Sequence, residues 1–188
     1  MKLLGRIGVN CLKFSVLVTS LMLFFSCESN FKEVQKSNRT EFMPTGEADS
    51  INLKYTDSGR IKAVLESPKM FDYATVTYPF TEFPKGILVT LYDQNGEKSY
   101  IKANYAVSFK GTEIIDLKGD VKMTSPQGQF LETEQLYYDQ KNEWFFTEKK
   151  FKFTAPNEGV TTGNGVDFSK DFKRIKYREV YGEINNAD

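Results

Sequence analysis

The sequence contains no histidine, and its only two cysteines, Cys11 and Cys27, lie near the N-terminus. Histidine is the commonest general base and the commonest ligand of zinc and copper in proteins. Its absence removes the usual centre of a hydrolase, and the serines have no partner for a catalytic triad. From Glu28 onward there is no cysteine, which excludes a disulfide framework and a thiol nucleophile there. We therefore expect no metal and no cofactor.

Neither sign of charge is in excess, since the chain has 25 Lys and Arg and 25 Asp and Glu. The basic residues are spread along the predicted strands, and no basic arm is present. Nucleic-acid-binding proteins usually concentrate positive charge on one face or tail. The sequence therefore indicates no nucleic-acid partner.

A long hydrophobic run is also missing. The most apolar stretch, Phe14 to Phe25, has 12 residues, whereas a membrane-spanning helix needs about 20. Three cations precede it, at Lys2, Arg6 and Lys13, and Ser26-Cys27 follows it. This order resembles a bacterial lipoprotein signal. It predicts a signal peptide at residues 1–26, cleavage before Cys27, and attachment to a membrane through a lipid on Cys27.

The alternative is an uncleaved membrane helix. Counted back to Ile7, the apolar stretch has 19 residues, but Asn10 and Lys13 interrupt it. Cleavage would remove three cations and no acid, which leaves a net charge of −3 on the mature chain.

Beyond Cys27, the sequence changes from a polar segment to alternating strands. Residues 27–49 are interpreted as the lipidated cysteine and a tether. About 20 residues can reach roughly 60 Å when extended. Residues 50–188 are predicted to form one β domain. As an alternative, part of the tether folds back as a first strand.

Several strands can be recognised before the middle of the chain. Ile51, Leu53 and Tyr55 alternate with polar residues, as in a half-buried strand. Ser67-Pro68 is expected to end the second strand, and the aromatic-rich stretch Met70–Pro84 to form short or irregular strands. Asp93-Gln94-Asn95-Gly96 predicts a hairpin. A change of phase near Tyr105 predicts a bulge.

A repeat of 30 residues organises the rest of the chain. Val121–Pro126 aligns with Phe151–Pro156, and a degenerate third copy begins at Thr162. Each copy is predicted to contain a strand, a turn, two further strands and a second turn. Such periods are typical of stacked units that bury their apolar faces on one another. Together with short strands at roughly 8–12-residue spacing, the repeat predicts an all-β domain, a folded-over sheet with two walls and free edge strands.

The repeats share one apolar face. This face is either the core of a sandwich or a groove for an apolar ligand. It mixes very small residues with large, flexible ones, and its walls repeat by translation; both features favour a groove without deciding the question. The residues are Ile101, Ala103, Ala106, Ile115, Leu117, Val121, Met123, Leu131, Thr133, Leu136, Phe145, Phe151 and Phe153.

Glu132 and Glu134 are the one candidate catalytic pair. Two residues apart on a strand, their side chains lie on the same face, about 7 Å apart. That spacing is compatible with glycoside hydrolysis. Because the alternating residues Leu131 and Thr133 face inward, a solvated outer face is the expected location.

Three segments resemble the LptC family, the periplasmic component of the lipopolysaccharide export transporter. They are Ile101–Ala106, Leu117–Val121 and Leu131–Asp139, and the resemblance extends over about Gly86–Gly165. The same unit occurs in its OstA-like relatives, including LptA. The resemblance implies a twisted open β jelly roll, an antiparallel sheet with a V-shaped cross-section. It also implies a non-enzymatic protein whose interior carries the acyl chains of lipopolysaccharide or lipooligosaccharide while the sugars stay outside.

The resemblance further implies partners that join edge to edge by strand addition. The edge at Ile51, Leu53 and Tyr55 would meet an LptB2FG-like ABC transporter. The edge at Ile175, Tyr177 and Ile184 would meet an LptA-like periplasmic bridge protein. The location implied is the periplasmic face of the inner membrane, with the outer membrane as an alternative. Many members carry an uncleaved transmembrane helix, whereas this sequence predicts a lipid anchor. The alternative function is that of an envelope lipoprotein acting as a binding or scaffolding module.

Overall fold

The computed structural model describes residues 43–156 and 158–181, which form one antiparallel sheet of eleven strands without a helix. The predicted signal peptide, Cys27 and most of the predicted tether lie outside these residues. The strands are β1 (Gly46–Asp57), β2 (Arg60–Tyr73), β3 (Phe80–Phe83), β4 (Ile87–Tyr92), β5 (Lys98–Ala103), β6 (Tyr105–Phe109), β7 (Ile114–Thr124), β8 (Phe130–Asp139), β9 (Trp144–Ala155), β10 (Gly159–Ser169) and β11 (Ile175–Tyr181).

The sheet is folded over into two walls. The second half of β7 pairs with β5, and its first half pairs with β6. In the same way the first half of β2 pairs with β4 and its second half with β3. We call the wall that contains β4 and β5 the front wall, and the wall that contains β3 and β6 the back wall. The predicted two-walled, all-β fold is confirmed.

The long strands β7 to β10 cross from one wall to the other. Their pairing shifts at the crossing, between Lys118 and Val121 and again between Asn164 and Val166. Gly119 and Gly165 lie in these bulges with φ of 73° and 71°, a conformation that glycine adopts without steric cost. A bulge bends a strand without ending it. The prediction of two separate strands after the first turn of each repeat is therefore wrong: they are the halves of one bent strand, β7 or β9.

The turns of the back wall stack with the predicted period. The backbone N–H of Gln140 donates to the carbonyl of Glu113 at 3.1 Å, and 30 residues later the N–H of Lys170 donates to Glu143 at 3.0 Å. The same geometric step thus joins each copy to the next. The repeat seen in the sequence is a repeat of the structure.

Strand β2 continues through Ser67-Pro68, against the prediction that it ends there. Pro68 follows the residues that pair with β4 and precedes those that pair with β3. Proline has no backbone N–H to donate. Neither β4 nor β3 pairs with β2 at Pro68, so no carbonyl of those strands loses a hydrogen bond there. The hydroxyl of Ser67 donates to the carbonyl of Gly86 at 2.7 Å and fixes the crossing.

Other local predictions have mixed outcomes. The hairpin at Asp93–Gly96 joins β4 to β5, as predicted, and β3 is a strand of four residues within the aromatic-rich stretch. The bulge expected near Tyr105 is a break, because β5 ends at Ala103 and β6 begins after Asn104. Strand β1 begins at Gly46, so the last residues of the predicted tether form the start of the first strand.

Candidate functional site

The predicted apolar face lies between the two walls. Twelve of its thirteen residues are buried, and the remaining one, Ile115, is half-buried against them. Ala106, Met123, Leu136 and Phe145 are each 0% exposed. The structure therefore brings all the predicted residues together, and in this conformation they form a closed core. Their role in binding a lipid stays a prediction.

The core also contains residues that the sequence reasoning left out of the site. Val166 could have been included, since the third copy of the repeat aligns it with Leu136. Phe172 lies in a turn, where no strand periodicity indicates burial. The additional core residues are Phe83, Ile87, Leu91, Ala155, Val166, Phe168 and Phe172.

The interior is aliphatic near the first repeat and aromatic near the last. Ile101, Val121, Met123 and Leu131 lie on β5, β7 and β8. Toward β11 the rings of seven residues form a connected row, with neighbouring centroids 4.3–6.4 Å apart. Both halves offer apolar surface. The row consists of Tyr138, Phe145, Phe168, Phe172, Phe153, Tyr177 and Phe151.

The few polar groups among the inward-facing residues have partners. The hydroxyl of Thr133 donates to the carbonyl of Lys150 at 2.8 Å. The hydroxyl of Thr147 accepts the N–H of Lys149 at 3.0 Å. In the described part of the chain, no buried side-chain nitrogen or oxygen lacks a hydrogen bond. Burial raises the pKa of the half-buried Tyr138, which keeps its hydroxyl neutral. The surface between the walls is therefore uncharged.

An opening of about 750 Å³ lies between the turns of the front wall and those of the back wall. We call it the mouth. Asp93 and Glu97 lie on its front-wall side, and Lys170 and Arg174 on its back-wall side. The guanidinium of Arg174 lies 5.0 Å from the ring centroid of Trp144, a cation–π contact that orients it. The mouth is thus a polar rim close to an apolar interior.

Acids and bases at the mouth are largely matched to one another. Lys170 pairs with Glu143 at 3.0 Å, and Lys173 pairs with Asp171 at 3.4 Å. The Ser169 hydroxyl, which donates to the Asp171 carboxylate at 2.7 Å, lowers the pKa of that group. Asp171 therefore stays ionised at neutral pH. The rim suits contact with polar, hydrated groups rather than with an apolar chain.

The two strands predicted to join partners lie at the ends of the sheet, since β1 pairs only with β2 and β11 only with β10. On β1, Ile51 packs against the core while Leu53 and Tyr55 are exposed. On β11, Ile175 and Tyr177 also pack against the core. The remaining predicted residue, Ile184, lies outside the described residues.

The candidate catalytic pair lies at a shallow depression that also exposes Tyr181. Glu132 forms an ion pair with Lys152 on the neighbouring strand, 3.7 Å away, and Glu134 is exposed where β8 bends. Such cross-strand pairs are ordinary on a solvated sheet face. The geometry therefore gives Glu132 a role in strand pairing and leaves Glu134 on the exposed surface.

Residues 43–156 and 158–181 contain neither a metal-binding cluster nor a membrane-spanning helix. No group of three or more Cys, Asp or Glu side chains is arranged to hold a metal ion. No helix in this part of the chain has the length and apolar character needed to cross a bilayer.

Comparison with known families identifies the fold's relatives. The family model described as "Lipopolysaccharide-assembly, LptC-related" matches residues 14–180, which is most of the chain. No curated protein matches the chain. The match extends beyond the Gly86–Gly165 region in which the sequence motifs are clearest, and it includes both β1 and all but the last residue of β11. The chain therefore belongs to the LptC family of lipopolysaccharide-assembly proteins, and its function lies in lipopolysaccharide transport.

Proposed function

We propose that this protein is held at the periplasmic face of the inner membrane by a lipid on Cys27. There it accepts lipopolysaccharide or lipooligosaccharide from an LptB2FG-like ABC transporter and passes it to an LptA-like bridge protein toward the outer membrane. The protein is a carrier, and ATP hydrolysis takes place in the transporter.

The observation that carries this proposal is the continuous apolar interior between two walls. It extends across the sheet from Leu91 on β4 to Phe168 on β10. Each CH₂ of an acyl chain moved out of water gains about 0.8 kcal/mol, so such an interior favours acyl chains strongly. The polar mouth leaves the sugars in water. A carrier of this kind needs the walls to separate, because the interior is closed when empty.

The free edges support the joining of one partner at each end of the sheet. Strand addition extends a sheet by backbone hydrogen bonds, and β1 and β11 are the only strands in the described part of the chain with one unpaired side. Joined at both, the interior of this protein becomes one segment of a longer apolar path. The lipid then moves from the β1 end to the β11 end.

The closed core also favours a second candidate function. Side chains that are 0–8% exposed fill the space between the walls as in an ordinary sandwich. An envelope lipoprotein that acts as a binding or scaffolding module needs no more than this. The two functions differ in whether lipid ever contacts the inward residues.

Site-specific photo-crosslinking in cells separates them. Phe145 and Phe146 are adjacent on β9, and Phe145 lies in the core while Phe146 stacks on Tyr137 on the outer face. A photoreactive phenylalanine analogue replaces either ring with little change of shape. We expect lipopolysaccharide adducts at position 145 and none at 146. Adducts at neither position, with the protein folded and exported, would support the scaffolding module.

A further inference from the structure

One residue of the core does not come from a strand. Phe172 lies in the turn between β10 and β11 and is 5% exposed. Three turns of the back wall begin at Lys110, Gln140 and Lys170. Two residues further along, they carry Thr112, Asn142 and Phe172, respectively. The first two are polar and exposed. Only the third turn sends an aromatic ring inward.

The backbone of Phe172 is strained. Its φ is +57°, a left-handed conformation that bulky residues rarely adopt. Residues held in this way persist when their surroundings compensate the cost. Here the compensation is the ring's packing, because it stacks on Phe168 at 4.8 Å and lies 6.0 Å from Phe153. At Phe172, therefore, backbone strain disfavours the observed conformation and ring stacking stabilises it.

The Phe172 ring joins the two walls. Phe168 pairs with Ile175 and Phe145 in the back wall, whereas Phe153 pairs with Leu131 in the front wall. Phe172 lies between them and also lines the mouth. Of the residues that line the mouth, it and Leu91 are the two that belong to the apolar core. Leu91 lies on β4, whereas Phe172 lies in a turn and is not held by strand pairing.

We propose that Phe172 is a latch that closes the interior beneath the mouth, and that an acyl chain that reaches this part of the interior displaces its ring. The inference rests on the proposed carrier function and adds the device that admits the ligand. The acyl chain takes the ring's place between Phe168 on β10 and Phe153 on β9, on the two walls. In the closed state two backbone hydrogen bonds hold the turn, from the Ser169 N–H to the Arg174 carbonyl at 2.9 Å and from the Phe172 N–H to the Ser169 carbonyl at 2.8 Å.

Displacement of the ring by a ligand is favoured by relief of backbone strain. When the ring leaves, residue 172 can relax from the left-handed conformation, and the stacking lost by the ring is replaced by contacts of the acyl chain. A ligand therefore gains apolar contacts and releases backbone strain together. Without a ligand, the stacking keeps the latch shut and water out of the interior.

The test measures binding of cis-parinaric acid, an 18-carbon fatty acid that fluoresces when its chain is buried, to the full-length protein. Phe172→Ala removes the latch, so its apparent Kd is expected to fall by about tenfold, because the open state no longer has to be selected from a small population. Phe146→Ala is the matched control, since it removes the same ring from the outer face, and its Kd is expected to equal that of the unaltered protein.

Phe172→Gly is a second variant that also lacks the ring. It keeps the turn free of backbone strain, because glycine adopts a φ of +57° without steric cost. It is expected to bind as tightly as Phe172→Ala. If the unaltered protein and both variants bind with equal Kd, the latch is wrong while the carrier function stands. If none of the folded proteins binds the fatty acid, both the latch and the carrier function are overturned.

Discussion

Two adjacent residues show most simply how a strand sorts its side chains. Successive residues of β9 face opposite sides of the sheet, so Phe145 is completely buried between Tyr138 and Phe168 while Phe146 stacks on Tyr137 outside. The centroids of the Phe145 and Tyr138 rings are 4.3 Å apart. The same residue type therefore has two different environments one position apart.

This difference predicts unequal losses of stability. Phe145→Ala leaves a cavity in the closed core and is expected to lower the free energy of unfolding by about 3–5 kcal/mol. Phe146→Ala loses a stacked pair at the surface and is expected to cost about 1 kcal/mol. Urea unfolding of the two variants measures both values. Equal losses would show that the interior is not the packed core described above.

Tyr105 links a side chain to the pH dependence of stability. Its hydroxyl donates to the carboxylate of Glu82 at 2.8 Å. Burial, followed by this hydrogen bond and the Glu82 charge, raises the pKa of Tyr105 from 10.0 to about 12. The folded protein thus keeps the proton more tightly than the unfolded chain does.

The sign of the effect follows from this difference. The contribution of Tyr105 is fully present below pH 10 and is lost as the pH rises from about 10 to 12, because the unfolded chain then releases the proton first. Tyr105→Phe is expected to unfold with a shallower loss of stability across this range. Tyr78→Phe, at an exposed position, is the control. Parallel curves for Tyr105→Phe and the unaltered protein would contradict the assignment.

At this scale the sequence predicts much of the interior. Alternation marks the inward residues because a strand has a fixed period of two, and all thirteen predicted residues do face the core. Phe172 could not be found in that way, since a turn has no such period. Its inward position depends on the space between Phe168 and Phe153, which only the folded chain defines.

Among the elements, the bent strands decide the architecture. β7 and β9 each continue through a bulge from the back wall into the front wall, so the walls are connected by unbroken backbone along one line. The open side of this fold is the mouth. Two walls joined along one line and separate along the other can change their spacing without loss of strand pairing.

The local sequence patterns do not predict which strands pair when they are distant in sequence. Pro68 suggests a strand end when read alone, yet β2 passes through it because two different strands flank it. The four residues of β3 are held between β2 and β6. Local patterns describe the faces of a strand, whereas the choice of neighbour depends on packing of the whole sheet.

The two edge strands, β1 and β11, are predicted to bind different partners. Leu53 on β1 and Val180 on β11 are 48% and 49% exposed. They pair with Leu65 on β2 and Gly163 on β10, respectively. Leu53→Lys is expected to abolish co-purification with the ABC transporter and to leave binding of the LptA-like protein intact. Val180→Lys is expected to do the reverse.

The physical reason is that a lysine at an edge hinders strand addition. Because both residues are exposed, neither change is expected to alter the melting temperature by more than about 2 °C. A variant that loses both partners, or neither, would contradict the assignment of one partner to each edge.

At the scale of the whole domain, the closed interior has to open before it can hold a lipid. The walls touch through side chains such as Met123 and Leu136 that have no exposed surface, and the mouth leads to this contact. A carrier requires a second state in which the walls are further apart. A scaffolding module requires only the state described here.

The most direct measurement of this difference is the distance between the two sides of the mouth. Spin labels on cysteines at Gln94 and Asn142, which line its opposite sides, report that distance in a chain whose Cys11 and Cys27 are serine. No other cysteine is present. Double electron–electron resonance measures the distance between the labels without ligand, with lipopolysaccharide, and with the deacylated sugar part of lipopolysaccharide as the control.

We predict that lipopolysaccharide lengthens the mean distance by on the order of 4 Å, the separation of two carbon atoms in van der Waals contact, and that the sugar part does not. A distance distribution unchanged by saturating lipopolysaccharide would contradict the account, because a sheet that stays closed has no room for an acyl chain.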